Sequence, residues 1–187
     1  MIELKNVSKS FDGKEILSGF NAVFDKGSYL LKGPSGIGKT TCIRLITGLI
    51  KPDAGEVILP DEIRFSVCFQ ENRLFENETV LTNVLAVSDN VSAADATSAI
   101  LELLPADSLS KKASELSGGM KRRLAVVRAM LHDSDCVILD EPFTGLDDEA
   151  REKTIAFIRA RLNGRLLIVT SHDERGLKDL QAVNIET

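Results

Sequence analysis

LKGPSGIGKT, residues 31–40, decides how this chain folds. An apolar run leads into it, and the amphipathic pattern KTTCIRLITGL leaves it. The spacing G-x-x-x-x-G-K-T is met by Gly33, Gly38, Lys39 and Thr40, with a further glycine at Gly36. Glycines let successive backbone N–H groups turn inward around an anion, and a helix starting there adds its unpaired amides. Lys39 can reach outer phosphates, and Thr40 offers a hydroxyl to a divalent cation. The same loop without its strand and helix would be a turn; the flanking pattern makes it a phosphate cradle.

Such a cation needs a carboxylate. CVILDE puts Asp140 and Glu141 at the end of a second apolar run. Asp140 is the natural metal partner, and Glu141 stands one residue on, where it can polarise an attacking water. Adjacent carboxylates repel, and a bound cation relieves that cost. Two more apolar runs end in suitable chemistry. SVCF leads to Gln70, whose amide can hold either the metal or a metal-bound water, and LLIVTS leads to His172, which can touch a terminal phosphate. Alone, either residue reads as a loop residue. In an open parallel sheet, ligands collect beyond the carboxyl ends of the strands, where all four would converge.

ELSGGM does not belong to that set. Ser117, Gly118 and Gly119 precede the helical pattern KRRLAVVRAM, so its first amides and positive dipole form a second anion surface. Leu124, Val127 and Leu131 have core spacing, and Lys121, Arg122 and Arg123 read as a mostly solvated face. One triphosphate needs one clamp. Either the chain folds this surface over its own nucleotide, or the surface serves a nucleotide held by another copy.

The rest of the chain fits one α/β domain over residues 1–187. Strands are predicted in IELKNV and from Ile16 to Phe24, separated by a DGK turn, then over Ser28–Lys32, EVIL, 64–69, 136–139, 166–170 and AVNIE. Helices are predicted from Lys39 to about Leu49, stopped by KPDAG; across 79–104 as two pieces broken at residues 88–90; from Gly118 or Gly119; and from Asp148 to about Leu162. Residues 71–115 form a helical excursion between sheet strands. YLL, SVCF, CVIL and LLIV lack polar alternation, as strands covered on both faces do.

At 187 residues with 43% hydrophobic content the chain can bury a full core. A formal charge of −5 gives no reason to expect nucleic-acid binding. Cys42, Cys68 and Cys136 sit among apolar neighbours and read as reduced core residues of a cytosolic protein. MIELKNVSKSF lacks the apolar run of a secretion signal, and no stretch approaches a membrane span.

Taken together and in order, these motifs resemble the ATP-binding cassette (ABC) ATPase domain, compact bacterial type, over nearly the whole chain. The resemblance implies a P-loop NTPase fold: a mostly parallel core sheet flanked by helices, an antiparallel N-terminal β portion and a small helical subdomain at about 71–115. GPSGIGKT corresponds to Walker A, Gln70 to the Q-loop, LSGGM to the signature, CVILDEP to Walker B with the catalytic glutamate, Asp147 in TGLDD to the D-loop and His172 to the switch histidine. The implied ligands are ATP and Mg²⁺. The nucleotide would be held by Phe11, stacked on adenine, by Gly33, Pro34, Ser35, Gly36, Ile37, Gly38, Lys39, Thr40 and Thr41, and by Ser117, Gly118, Gly119 and Asp147. Thr40, Gln70 and Asp140 would hold the metal, and Glu141, His172, Gln70 and Lys39 would carry catalysis. The family pairs two cassettes head to tail, so the implied partners are a second ABC ATPase subunit, identical or closely related, and integral membrane permease subunits. The chain would then lie on the cytoplasmic face of the membrane without inserting.

Departures from the family pattern are Met120 in place of the usual glutamine, a short stretch between Gln70 and the signature, and an end fifteen residues after His172. The alternative role is a soluble ABC-type ATPase remodelling nucleic acid or ribosomes; the acidic charge, single cassette and lack of a heptad arm count against it. A kinase sharing only the phosphate loop would need neither LSGG nor His172.

Overall fold

A computed structural model describes residues 1–87 and 90–185. The chain opens with strands β1 (Ile2–Phe11) and β2 (Lys14–Phe24), paired antiparallel across a two-residue turn. Asp12 (φ 49°) and Gly13 (φ 77°) both take positive φ, as the tight hairpin turn requires. Strand β4 (Ala54–Ile58) pairs with the other edge of β1, giving a three-stranded antiparallel sheet in the order β2-β1-β4.

Strands β3 (Ser28–Lys32), β5 (Phe65–Cys68), β6 (Cys136–Asp140), β7 (Leu166–Thr170) and β8 (Gln181–Asn184) form a second sheet in the order β5-β6-β7-β3-β8, parallel throughout. Every residue of β6 and β7 is buried. Their alternate side chains enter two different cores. Cys136, Ile138, Leu166 and Ile168 join Leu31, Ile43 and Ile46 beneath the antiparallel sheet. Val137, Leu139, Leu167 and Val169 join Leu124, Val127 and Phe157 on the helical side. Two covered faces favour apolar residues at successive positions, so the runs lack alternation until Asp140 and Thr170 at their ends.

Among the described residues are five α-helices: α1 (Lys39–Ile46), α2 (Val80–Leu85), α3 (Ala93–Leu103), α4 (Gly118–Leu131) and α5 (Asp148–Arg161). Ser92, Ser117 and Asp147 cap α3, α4 and α5 through side-chain oxygens. The break predicted at residues 88–90 lies partly outside the described residues; on either side of it α2 and α3 are separate helices.

Helix α1 stops three residues short of the predicted Leu49. Gly48 takes φ 70° and its N–H bonds Leu45 O at 3.1 Å, while the Thr47 hydroxyl bonds back to Ile43 O at 2.8 Å. That left-handed glycine ends the helix, and Leu49 is 56% exposed instead of packed inward. Strand β4 begins at Ala54, within the segment predicted as a stop.

Candidate active site

The carboxyl ends of β3, β5, β6 and β7 open onto one cleft of about 390 Å³. Phe11, Ser35, Gly36, Gly38, Lys39, Thr40, Thr41, Gln70, Asp140, Glu141 and His172 all line it. The four strand ends singled out in the sequence therefore meet. Ile16 and Arg44 also reach the cleft, and neither was predicted.

The loop between β3 and α1 is shaped by close approaches. A Cβ on Gly33 would meet Ile37 Cγ2 at 2.7 Å, and one on Gly38 would press on Ile16 and Leu17 at 3.0 and 3.1 Å. Gly38 is the cap of α1, and no side chain bonds the first-turn amides there. Those donors are left for an anion. Lys39 is buried and donates to Gly33 O at 2.8 Å and Pro34 O at 3.1 Å, so its ammonium sits inside the loop it follows.

Asp140 is buried and held by two hydroxyls. Thr40 Oγ1 donates to Oδ2 at 2.8 Å, and Thr170 Oγ1 donates to Oδ1 at 2.7 Å. Thr170 Oγ1 in turn accepts the N–H of Glu141 at 2.9 Å. Thr170 thus joins the two carboxylate residues, a function the sequence reading missed. Its only signal there was its place as the last residue of the LLIVT run.

Glu141 has a left-handed backbone, φ 52°, and its carboxylate is buried at the cleft wall. The N–H of His172 donates to Oε2 at 3.3 Å. His172 Nε2 lies 3.2 Å from Oε1 but is not aligned on it, and Oε1 accepts no hydrogen bond from the described residues. Glu141 lines the cleft, and its buried Oε1 keeps spare accepting capacity.

Arg122 corrects the reading of KRR as a solvated face. It is 3% exposed and reaches under the site to the main-chain oxygens of Asp140, Glu141, Phe69 and Gln70. Its neighbours are half-buried: Lys121 pairs with Glu76 at 2.8 Å, and Arg123 bonds Leu103 O.

Ser117, Gly118, Gly119 and Asp147 are not brought to this cleft. Ser117 Oγ accepts the Met120 N–H at 3.3 Å and Asp147 Oδ1 the Ala150 N–H at 2.8 Å, each as a helix cap. The second anion surface therefore does not fold over the first within one chain.

Thr40, Asp140 and Gln70 offer hydroxyl, carboxylate and amide oxygens, a hard donor set suited to Mg²⁺, which is bound through one or two carboxylates with phosphate and water completing its shell. Among the described residues no group of three His, Cys, Asp or Glu side chains is placed to hold a metal ion. The three cysteines are free and buried, and burial pushes the Cys42 and Cys136 thiols up to about 12. Among the described residues no helix is long and apolar enough to cross a membrane.

A family model described as ABC transporter matches residues 20–144. The Nod factor export ATP-binding protein I of Burkholderia lata is 37% identical over 189 residues, covering 91% of this chain and 62% of that protein. An aliphatic sulfonates import ATP-binding protein, SsuB 1 of Nocardia farcinica, is 38% identical and covers 92% of this chain and 71% of its own length. The chain thus spans about three-fifths to seven-tenths of these relatives. The dimeric structure of MJ0796, a bacterial ABC transporter cassette, superposes with a TM-score of 0.84 at 26% identity, covering 99% of this chain and 94% of that one. A dimeric post-hydrolysis state of MJ0796 bound to ADP and Pi superposes at 0.86, with 25% identity and coverage of 100% and 94%. With its phosphate loop, paired carboxylates, glutamine and histidine gathered at one sheet edge, the chain belongs to the ABC transporter family as an ATP-binding cassette.

Proposed function

We propose that the chain binds Mg–ATP in the cleft and hydrolyses it to ADP and phosphate, as one ATPase domain with residues 71–115 as its helical subdomain. The observation that carries this is Glu141: a buried carboxylate one residue beyond Asp140 in the lining of the cleft, with one oxygen that accepts no hydrogen bond from the described residues. In this reading Glu141 takes a proton from the attacking water. The Gly33–Thr41 loop cradles the phosphates, Lys39 neutralises their outer charge, and Phe11 stacks on the base. Thr40, Asp140 and Gln70 would hold Mg²⁺, which supplies charge neutralisation to the phosphates when bound. His172 holds the carboxylate of Glu141 through its N–H and can bond a terminal phosphate through its ring.

The test is Glu141→Gln. The amide is nearly isosteric but a poor proton acceptor, so ATP affinity by calorimetry should hold while turnover falls by about 10² to 10⁴. An ATP-dependent shift from monomer to dimer on size exclusion should accompany the loss. Turnover near the wild-type rate would remove Glu141 from the catalytic set.

We further infer that two such chains, identical or closely related, close head to tail on ATP and that this motion drives an integral membrane permease from the cytoplasmic face. The roles of these two relatives, one an exporter component and one an importer component, support transport without choosing its direction. A groove of about 290 Å³ between β5 and α4, lined by Phe65, Phe69, Arg73, Arg128 and His132, supports docking by a partner, and Phe75 is an exposed aromatic in the same loop as Arg73. Recovery of the tagged native complex from detergent-solubilised membranes should bring down a multi-span protein. Ribosomes in its place would favour the soluble remodelling role.

A further inference from the structure

The KRR run at 121–123 is divided by the helix that carries it, and its middle residue is turned inward. The Arg122 guanidinium donates from Nε to Glu141 O at 3.0 Å, from Nη2 to Asp140 O, and from Nη1 to Phe69 O at 2.5 Å, Gln70 O at 3.3 Å and Asn72 Oδ1 at 3.3 Å. Each acceptor is a carbonyl or amide oxygen, not a carboxylate. One planar fork therefore fastens the ends of β5 and β6 to α4, and both of those ends carry residues of the cleft.

The backbone at Glu141 needs such a fastening. A glutamate at φ 52° occupies a region that side chains other than glycine adopt only where the surroundings hold them. Its N–H is held by Thr170 Oγ1, and its carbonyl accepts from Arg122 Nε at 3.0 Å and from the Thr144 N–H at 3.3 Å. Loss of the shorter, charged donor leaves only the longer Thr144 contact on that carbonyl, which lets the residue relax toward negative φ and swing its carboxylate away from the position it now holds beside His172.

We propose that Arg122 is a positioning residue for hydrolysis: it locks Glu141 in the left-handed conformation that aims its carboxylate into the cleft, and it joins that residue to the Gln70 segment and to α4. The proposal rests on the reading of Glu141 as the group that takes the water's proton. It adds a route of communication. Arg122 is the fifth residue of α4, whose first two residues are Gly118 and Gly119. A helix this short moves as a rod, so a displacement at its N-terminus reaches Glu141 and Gln70 of the same chain through the guanidinium.

Arg122→Lys keeps the charge and the stem but offers an ammonium where a rigid fork is needed. Arg122→Gln removes the charge. Both variants should bind ATP within about threefold of wild type and lose about 10²-fold in kcat, the scale set by an ångström of misplacement at a reacting group. In hydrogen–deuterium exchange, residues 69–73 and 140–144 should exchange faster while β1 and β3 stay protected. The deciding measurement is a double-mutant cycle. Added to Glu141→Gln, Arg122→Gln should slow the residual rate by no more than about threefold, because its target is already gone. A full, independent loss in that background would overturn the proposal, as would wild-type kcat in both single variants. A fall in ATP-binding stoichiometry large enough to account for the lost rate would also overturn it, assigning Arg122 to folding. Wild-type turnover by Glu141→Gln alone would instead bring down the underlying assignment of Glu141, and this proposal with it.

Discussion

Phe11 closes β1 at the rim of the cleft and is 42% exposed, with Lys9 Nζ 5.5 Å above its ring. An aromatic so placed contributes little to the folded core, which separates its two possible uses. Phe11→Ala should shift the stability of the nucleotide-free protein by no more than about 0.5 kcal/mol, as surface substitutions do. Loss of a stacked base should cost about 1 kcal/mol of ATP binding, roughly a fivefold rise in Kd. Calorimetry beside a thermal melt reads both. Early melting with unchanged affinity would make Phe11 a packing residue. At this same scale the sequence revealed side chains at motif positions and hid those that act through them. Lys39, Thr40, Asp140 and Glu141 follow from spacing alone, because phosphate and metal chemistry demands those types there. Thr170 does not, since a threonine ending an apolar strand is ordinary, and only the fold sets its hydroxyl between Asp140 and the Glu141 amide.

Elements were legible where two-sided burial writes a plain signal. β6 and β7 send alternate residues into two separate cores, so their apolar runs could be nothing but covered strands. Helix α4 shows the opposite case. At 100° per residue, three adjacent cations point in three directions, and which of them faces the sheet depends on how the helix lies against β5 and β6. The sequence carries the charges but not that rotation, so the buried Arg122 read like its half-buried neighbours. Gly55 is similar. In KPDAG it looked like a stop, yet it lies within β4, where a Cβ would come within 2.2 Å of Asn6 O. Asn6 has φ 49° and sits at an irregularity in both pairings of β1, and Gly55 itself takes φ 77°, so both its own backbone and the approach of the partner strand call for glycine. Helix α5 adds a tie that no spacing announces: Arg151 donates to the carbonyls of Asp173 and Arg175, joining the helix capped by Asp147 to the turn after His172.

For the whole molecule, the decisive fact is that one chain holds two anion-ready helix starts that do not meet. The N-terminus of α1 lies in the cleft without a side-chain cap, whereas Ser117, Gly118 and Gly119 at α4 stand outside it. If the second surface completes the cleft of another copy, two inactive variants should restore each other. In a head-to-tail pair of Lys39→Ala with Ser117→Arg, one cleft combines both lesions and the other has an intact loop facing an intact signature. Each variant alone should lack turnover: the first loses the ammonium inside the phosphate loop, the second sets a bulky cation where the phosphate must approach. On mixing, half of randomly formed pairs are mixed and each has one sound cleft of two, so activity should recover to roughly a quarter of the wild-type level. Ser117→Arg also removes a helix cap worth about 1 kcal/mol, so its melting curve must show a folded protein at the assay temperature. Size exclusion with ATP would establish that mixed pairs form. Mixed pairs that form without recovery, or Ser117→Arg alone at the wild-type rate, would confine the signature to capping α4 and leave each cleft to work with its own chain's residues.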